Sequence, residues 1–239
     1  MKISREPMEH DRLAGLPAGP RIGVNNKQNS EVSMIVGNRM TKEPITVGED
    51  ELLIRASHKM QAGGFRRLPV MKEGKLVGIV TERDLREHRG HLEHTKVNGV
   101  MTENPITVSP ATTLEQATQI LLERQIGGLP VTAEGRLIGI ITSSDILNAF
   151  LNLMGASHGG STRIDLVLEG EEHGLIEATR IVAREGGEVL GIGTYRENPG
   201  EDPVCYLRLI SGAPEKIARM LRAGGFKVLG IHRIGTKEL

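Results

Sequence analysis

Aromatic side chains are almost missing: the 239 residues hold no Trp, 2 Tyr and 3 Phe. Proteins that stack nucleic-acid bases depend on such rings, so a base-stacking binder is disfavoured. Cysteine occurs once, at Cys205. That excludes an intramolecular disulfide and a metal site built from cysteines. No charge sign dominates, since 30 Lys and Arg face 30 Asp and Glu. Neither nucleic acid nor an acidic membrane surface is indicated as a partner. No apolar run approaches the ~20 residues of a spanning helix, and Met1 to Asn29 lacks the apolar stretch of a signal peptide. The expectation is a soluble, cytoplasmic protein.

Glycine and proline are plentiful, at 30 and 11 residues, which implies many tight turns and short elements. The order of those elements repeats. Met40-Thr-Lys-Glu-Pro-Ile-Thr-Val47 returns as Met101-Thr-Glu-Asn-Pro-Ile-Thr-Val108, an offset of 61. The offset holds without a gap through Leu68-Pro-Val70 and Leu129-Pro-Val131, and through Gly78-Ile-Val-Thr81 and Gly139-Ile-Ile-Thr142. Over 40–88 against 101–149, 18 of 49 positions are identical. Two copies are too few for a solenoid and imply a paired, pseudo-symmetric unit.

Each copy reads as strand, helix, strand, strand, helix. Ile45 to Val47 follows a proline turn as a short strand. Glu51 to Gln61 places Leu53, Ala56 and Met60 on one helix face. Leu68 to Met71 and Lys75 to Val80 flank the tight Glu73-Gly74 turn, and a second helix starts at Thr81. Leu114, Ala117 and Leu121, with the turn Glu134-Gly135, repeat the pattern. After residue 160 the pattern changes to strand, helix, strand, strand, helix, strand over 163–233, the ferredoxin-like split motif. The predicted organisation is a mobile arm over 1–33, repeats over 34–93 and 94–153, a linker over 154–162 and a C-terminal domain over 163–239. The fold class is α+β: two βαββα repeats followed by a βαββαβ domain.

The repeats resemble cystathionine-β-synthase-type (CBS) domains, which occur in tandem. The resemblance is carried by Pro44-Ile-Thr-Val47, Arg67-Leu-Pro-Val70, Gly74 and Gly78-Ile-Val-Thr-Glu-Arg-Asp84. In the second copy it is carried by Pro105-Ile-Thr-Val108, Leu129-Pro-Val131, Gly135 and Gly139-Ile-Ile-Thr-Ser-Ser-Asp145. Residues 163–233 are similar to an ACT domain, through element order and His173-Gly-Leu175. The combination resembles the AcuB-type acetoin utilisation proteins.

That resemblance implies a regulatory protein whose ligand is an adenine nucleotide held between the repeats. The family motif assigns Asp84 and Asp145 to the ribose hydroxyls and Thr81 and Thr142 to ribose or phosphate, in the strands that carry Gly78 and Gly139. The backbone at Ile45-Thr46 and Ile106-Thr107 would read the adenine edge. The chemistry is apt, because a carboxylate accepts two hydrogen bonds from a vicinal diol. Thr-x-x-Asp ahead of an apolar helix is also a capping box that needs no ligand, and both roles can coexist. Arg66, Arg67 and Arg83 belong to the first copy, where the second has Gly127, Gly128 and Ser144. Arginine suits phosphate oxygens, so the Asp84 site is expected to prefer a phosphorylated nucleotide.

His88, His91 and His94 recur at intervals of three, but Gly90 interrupts the run and a solvated linker is expected rather than a metal site. Cys205 reads as a buried core thiol. ACT resemblance puts a small-molecule effector at His173, Gly174 and Leu175, although Glu171 and Glu172 would repel a ligand carboxylate. No catalytic constellation, phosphate loop, dinucleotide fingerprint or zinc motif is readable. The expectation is therefore a non-enzymatic protein that needs no cofactor and uses adenine nucleotide as a regulatory ligand; the resemblance to CBS and ACT domains implies a homodimer. The competing readings are an accessory enzyme or subunit in acetoin or acyl metabolism, and a dimerisation scaffold that binds nothing.

Overall fold

The computed structural model describes residues 34–157, 159–168, 174–196 and 198–233. The arm expected over 1–33 lies outside them, as does His173.

The first copy begins with a 3-10 turn at Val36–Asn38 and the short strand β1 (Thr41–Lys42). There follow β2 (Val47–Gly48), α1 (Leu53–Gly63), β3 (Arg67–Lys72), β4 (Lys75–Thr81) and α2 (Glu82–Glu87). The second copy has its 3-10 turn at Val97–Gly99 and then β5 (Thr102–Glu103), α3 (Leu114–Glu123), β6 (Gly128–Ala133), β7 (Arg136–Thr142) and α4 (Ser143–Leu153). The strand expected over Ile45 to Val47 is shorter than the sequence pattern suggested: Ile45 and Thr46, like Ile106 and Thr107, lie in loops, and pairing starts only at Val47 and Val108.

The hairpins β3–β4 and β6–β7 turn through Glu73-Gly74 and Glu134-Gly135, all four residues at positive φ (46° and 77°, 51° and 74°). Two consecutive residues of this kind make the tight hairpin whose twist matches that of its strands. α2 and α4 both start in complete capping boxes, Thr81 with Asp84 and Thr142 with Asp145.

The repeats exchange their leading segments. β1, which precedes the first copy, pairs with β7 of the second; β5, which precedes the second, pairs with β4 of the first. The sheets run β2-β3-β4-β5 and β1-β7-β6. Val36 is fully buried in the core of the second copy with Leu114, Leu129 and Ile141. Val97, which follows it by 61, is fully buried in the core of the first with Leu53, Leu68 and Val80. The backbone bonds match: the Val36 amide donates to the Thr112 carbonyl (2.8 Å) and the Val97 amide to the Glu51 carbonyl (2.9 Å). Each core thus borrows a residue from the other copy's sequence, and a division at 93/94 separates the repeats in sequence but not in packing.

This exchange explains Gly78 and Gly139. A Cβ at Gly78 would lie 2.4 Å from the Met101 sulfur and 3.1 Å from the Thr102 carbonyl oxygen. At Gly139 it would lie 2.4 Å from the Met40 sulfur and 3.0 Å from the Thr41 oxygen. Glycine at these two positions lets the exchanged strand and its methionine lie close against the hairpin.

The remaining elements are β8 (Thr162–Val167), α5 (Gly174–Arg184), β9 (Glu188–Tyr195), β10 (Val204–Ile210), α6 (Pro214–Ala223) and β11 (Lys227–Arg233). They form an antiparallel sheet in the order β11-β8-β10-β9, the ferredoxin-like topology that the element order predicts. Its core takes Ile164, Leu166, Cys205, Leu207 and Leu209 from the sheet, and Ile181, Ile217 and Leu221 from the helices. The segment expected to link this domain is docked in its described part. The Ala156 amide bonds the Leu151 carbonyl (2.8 Å), and Gly191 allows the Met154 carbonyl oxygen within 3.0 Å of where its Cβ would be.

Candidate functional site: twin clefts between the repeats

Two clefts lie between the copies, with volumes of about 430 and 480 Å³. Pockets of this size suit small organic ligands. Each takes one wall from each copy. In the first, Pro44, Ile45, Phe65 and Pro69 face Thr142 and Asp145. In the second, Pro105, Ile106, Ile126 and Pro130 face Thr81 and Asp84. Every one of these residues is displaced by 61 from its partner, so the repeat in the sequence becomes a repeat of the site.

The carboxylates are fixed before any ligand arrives. Asp84 Oδ2 accepts from the Thr81 amide (2.7 Å) and the Thr81 hydroxyl (2.8 Å). Asp145 Oδ2 accepts from the Thr142 amide (2.8 Å) and hydroxyl (2.7 Å). Capping therefore occupies one oxygen of each; among the described residues, Oδ1 of each accepts no hydrogen bond. A half-buried carboxylate with one oxygen held and one open is a preorganised acceptor for hydroxyl groups. Opposite it, Ile45 and Ile106 remain 53% and 39% exposed and give each cleft an apolar wall.

The arginines break the symmetry. Arg66 and Arg67 line both clefts. Arg83 and Arg86 line only the Asp84 cleft, where the Asp145 cleft has Ser144 at the position matching Arg83. Glu43 lines the Asp145 cleft, and its counterpart in the other is the neutral Asn104. Arg66 and Arg67, expected at the Asp84 site, line that cleft and the Asp145 cleft as well, because both clefts meet at these residues. Arg67 lies against Gly127 and Gly128, whose Cβ atoms would fall 2.4 and 2.2 Å from its Nη2 and Nη1. Burial holds the Arg67 guanidinium below its ordinary pKa, Arg66 adds to this, and Asp145 works in the opposite direction.

Some expected site residues lie elsewhere. Gly78 and Gly139 line neither cleft and instead admit the exchanged strands. Thr46 and Thr107 also line neither, and the Thr46 carbonyl accepts a hydrogen bond from Lys59 Nζ (3.0 Å). Of the residues expected at an effector site of the C-terminal domain, Gly174 is buried at the start of α5 and Leu175 packs on the domain core. His88, His91 and His94 are not on one helix: α2 ends at Glu87, and His88 Nδ1 lies 2.9 Å from the Asp84 carbonyl oxygen. Phe65, Ile126, Glu43 and Asn104 were missed by sequence reasoning. Glu43 and Asn104 stand at matched positions just before Pro44 and Pro105, both at positive φ (48° and 46°), a conformation that the residue types did not announce.

No helix of the described residues is long and apolar enough to cross a membrane. The model of the CBS domain family matches residues 32–91 and 97–152. A CBS domain-containing protein of Dictyostelium discoideum is 32% identical over 138 residues, covering 52% of this chain and 95% of its own. A solved acetoin utilization protein (AcuB) of Vibrio cholerae is 32% identical, with a TM-score of 0.48 over 52% of this chain and 96% of that one. Solved CBSX2 of Arabidopsis thaliana, in complex with AMP, is 30% identical, with a TM-score of 0.46 over 50% of this chain and 97% of that one. The chain is thus a member of the CBS domain family and carries the domain twice.

Proposed function

We propose that the chain is a regulatory sensor that binds adenine nucleotides in the twin clefts and has no catalytic step of its own. The observation that carries this reading is the repeated pairing of an open carboxylate oxygen with an exposed isoleucine across each cleft. A ribose carries two adjacent hydroxyls for Oδ1 of Asp84 or Asp145. A purine is flat and apolar on its faces, and so fits against Ile45 and Phe65, or Ile106 and Ile126. Membership of the CBS family supports the same ligand class. The arginines supply a place for phosphate.

Because each cleft has one wall from each copy, a ligand that closes it shifts the packing of the two copies. It can do so only through unequal affinity for the two arrangements. The contact of Met154 and Gly155 with β9 supports coupling of that change to an ACT-like domain, for which the reading keeps an effector of its own at the first helix. A homodimer belongs to this reading and is supported by the exposed Leu147, Phe150, Leu151 and Leu153 of α4. So does a target in acetoin or carbon metabolism, as the AcuB-type resemblance implies.

Calorimetric titration of the full chain with AMP, ADP, ATP and S-adenosylmethionine tests the proposal. Saturable binding that weakens at least tenfold when both Asp84→Ala and Asp145→Ala are introduced is the expected result. A folded chain that binds none of the four would overturn it in favour of a scaffold.

A further inference from the structure

The two clefts are copies of each other except in their cations, and the cations sit at the junction. Arg66 and Arg67 line both clefts, while the residues that match them by the offset of 61 are Gly127 and Gly128. The two glycines leave the space that Arg67 fills: a Cβ at Gly128 would stand 2.2 Å from Arg67 Nη1 and 3.0 Å from its Cδ. Arg67 Nη1 is buried and has no hydrogen-bond partner among the described residues. A buried, unpaired guanidinium donor is costly and gains from an anion brought to it.

Apart from the shared pair, one cleft is balanced in charge and the other is acidic. The Asp84 cleft keeps Arg83 and Arg86 against Glu82 and Asp84. The Asp145 cleft keeps no cation of its own and has Glu43 and Asp145.

We propose that Arg66 and Arg67 are a single phosphate-binding group shared by the two clefts, so that a phosphorylated nucleotide in the Asp84 cleft weakens a second one in the Asp145 cleft but leaves binding of an unphosphorylated adenosine there intact. This rests on reading the clefts as adenine-nucleotide sites and adds a division of labour between them. When the shared donors turn to the phosphates held with Arg83 and Arg86, the other cleft is left acidic, and a second set of phosphates meets Glu43 and Asp145 without compensation. A ligand that ends at the ribose needs only the carboxylate and the apolar wall.

The test is calorimetry on the full chain with ADP and adenosine, each alone and then adenosine added to chain carrying one ADP. The second ADP is expected to bind at least tenfold more weakly than the first, the loss of about one charge-assisted hydrogen bond. Adenosine is expected to bind the ADP-loaded chain as tightly as it binds the vacant Asp145 cleft. Arg67→Ala brings the two ADP affinities together by lowering the first, and leaves adenosine unchanged. Ser144→Arg, an exposed change on α4 that restores the counterpart of Arg83, tightens the second ADP and narrows the gap. Two equal and independent ADP sites, with adenosine binding intact, would overturn the sharing while leaving the nucleotide reading in place. Exclusion of adenosine by the first ADP would also overturn it. Failure of both ligands to bind folded protein would overturn the nucleotide reading and the sharing together.

Discussion

Thr81 and Asp84 are joined through one carboxylate oxygen: Asp84 Oδ2 accepts both the Thr81 amide and its hydroxyl, at 2.7 and 2.8 Å. The helix cap and the ligand acceptor are therefore separable in one side chain. Asp84→Asn can keep the cap through its amide oxygen but turns donors toward the cleft, where a ribose also offers donors. Thermal stability should stay within about 0.5 kcal/mol of the parent, while the affinity of the Asp84 cleft for adenosine falls at least tenfold and that of the Asp145 cleft is unchanged. Asp84→Ala should lose both, with about 1 kcal/mol of stability gone with the cap. Undiminished affinity in Asp84→Asn, measured by calorimetry, would leave the carboxylate with capping alone.

The exchange of leading segments makes a distant residue part of each core. Val36 has no exposed surface and packs with Leu114, Leu129 and Ile141 of the second copy. Val36→Ala should cost about 1.5–3 kcal/mol, from lost apolar burial plus the cavity left behind. Hydrogen exchange would locate the effect. Amides of β6 and β7 should lose more protection than those of α1 and β3, although the latter are nearer in sequence. The reverse order would contradict the exchanged packing.

Gly78→Ala places a methyl group on the Met101 sulfur and near the Thr102 carbonyl oxygen. The methionine can move but the carbonyl belongs to a paired strand, so a cost of about 1–3 kcal/mol is expected. Combining it with Met101→Ala, which opens space, should give a loss smaller than the sum of the two single losses. Additive losses in denaturant unfolding would show that the glycine is required for another reason.

Much of this was legible in the residues. The offset of 61, the Glu-Gly turns and the alternating apolar positions determine most elements to within one or two residues, because hairpin chemistry and one-sided burial are local properties. The Thr-x-x-Asp pairs could be located for the same reason, since a capping box occupies four consecutive residues. The exchange of β1 and β5 was not legible: a two-residue strand such as Thr41–Lys42 has no periodicity, and its partner is chosen by the space that Gly139 leaves. The wall facing each aspartate was missed for a related reason. Ile45 serves Asp145 rather than Asp84 because the clefts form between copies, and a repeat in sequence does not say which halves face each other. The sharing of Arg67 is likewise a property of the junction, visible only when Gly127 and Gly128 are seen beneath it.

Cys205 gives the protein an alkaline limit. It has no exposed surface, in the core beneath β10, and burial, assisted by the charge of Asp165, pushes its thiol up from 9.0 to about 11. In the unfolded chain the thiol ionises at its ordinary value, so the unfolded state loses its proton first. The stability held by the protonated thiol is complete below about pH 9 and is progressively lost toward pH 11. Denaturant unfolding across that interval should show a steeper fall for the parent than for Cys205→Ala, which has no proton to lose. Below pH 9 the two curves should run parallel, offset by the cost of the smaller side chain. A thiol reagent at pH 8 should modify Cys205 no faster than the chain opens, since the thiolate is scarce and enclosed. Rapid modification of folded protein, or identical slopes above pH 9, would place Cys205 outside the core to which the structure assigns it.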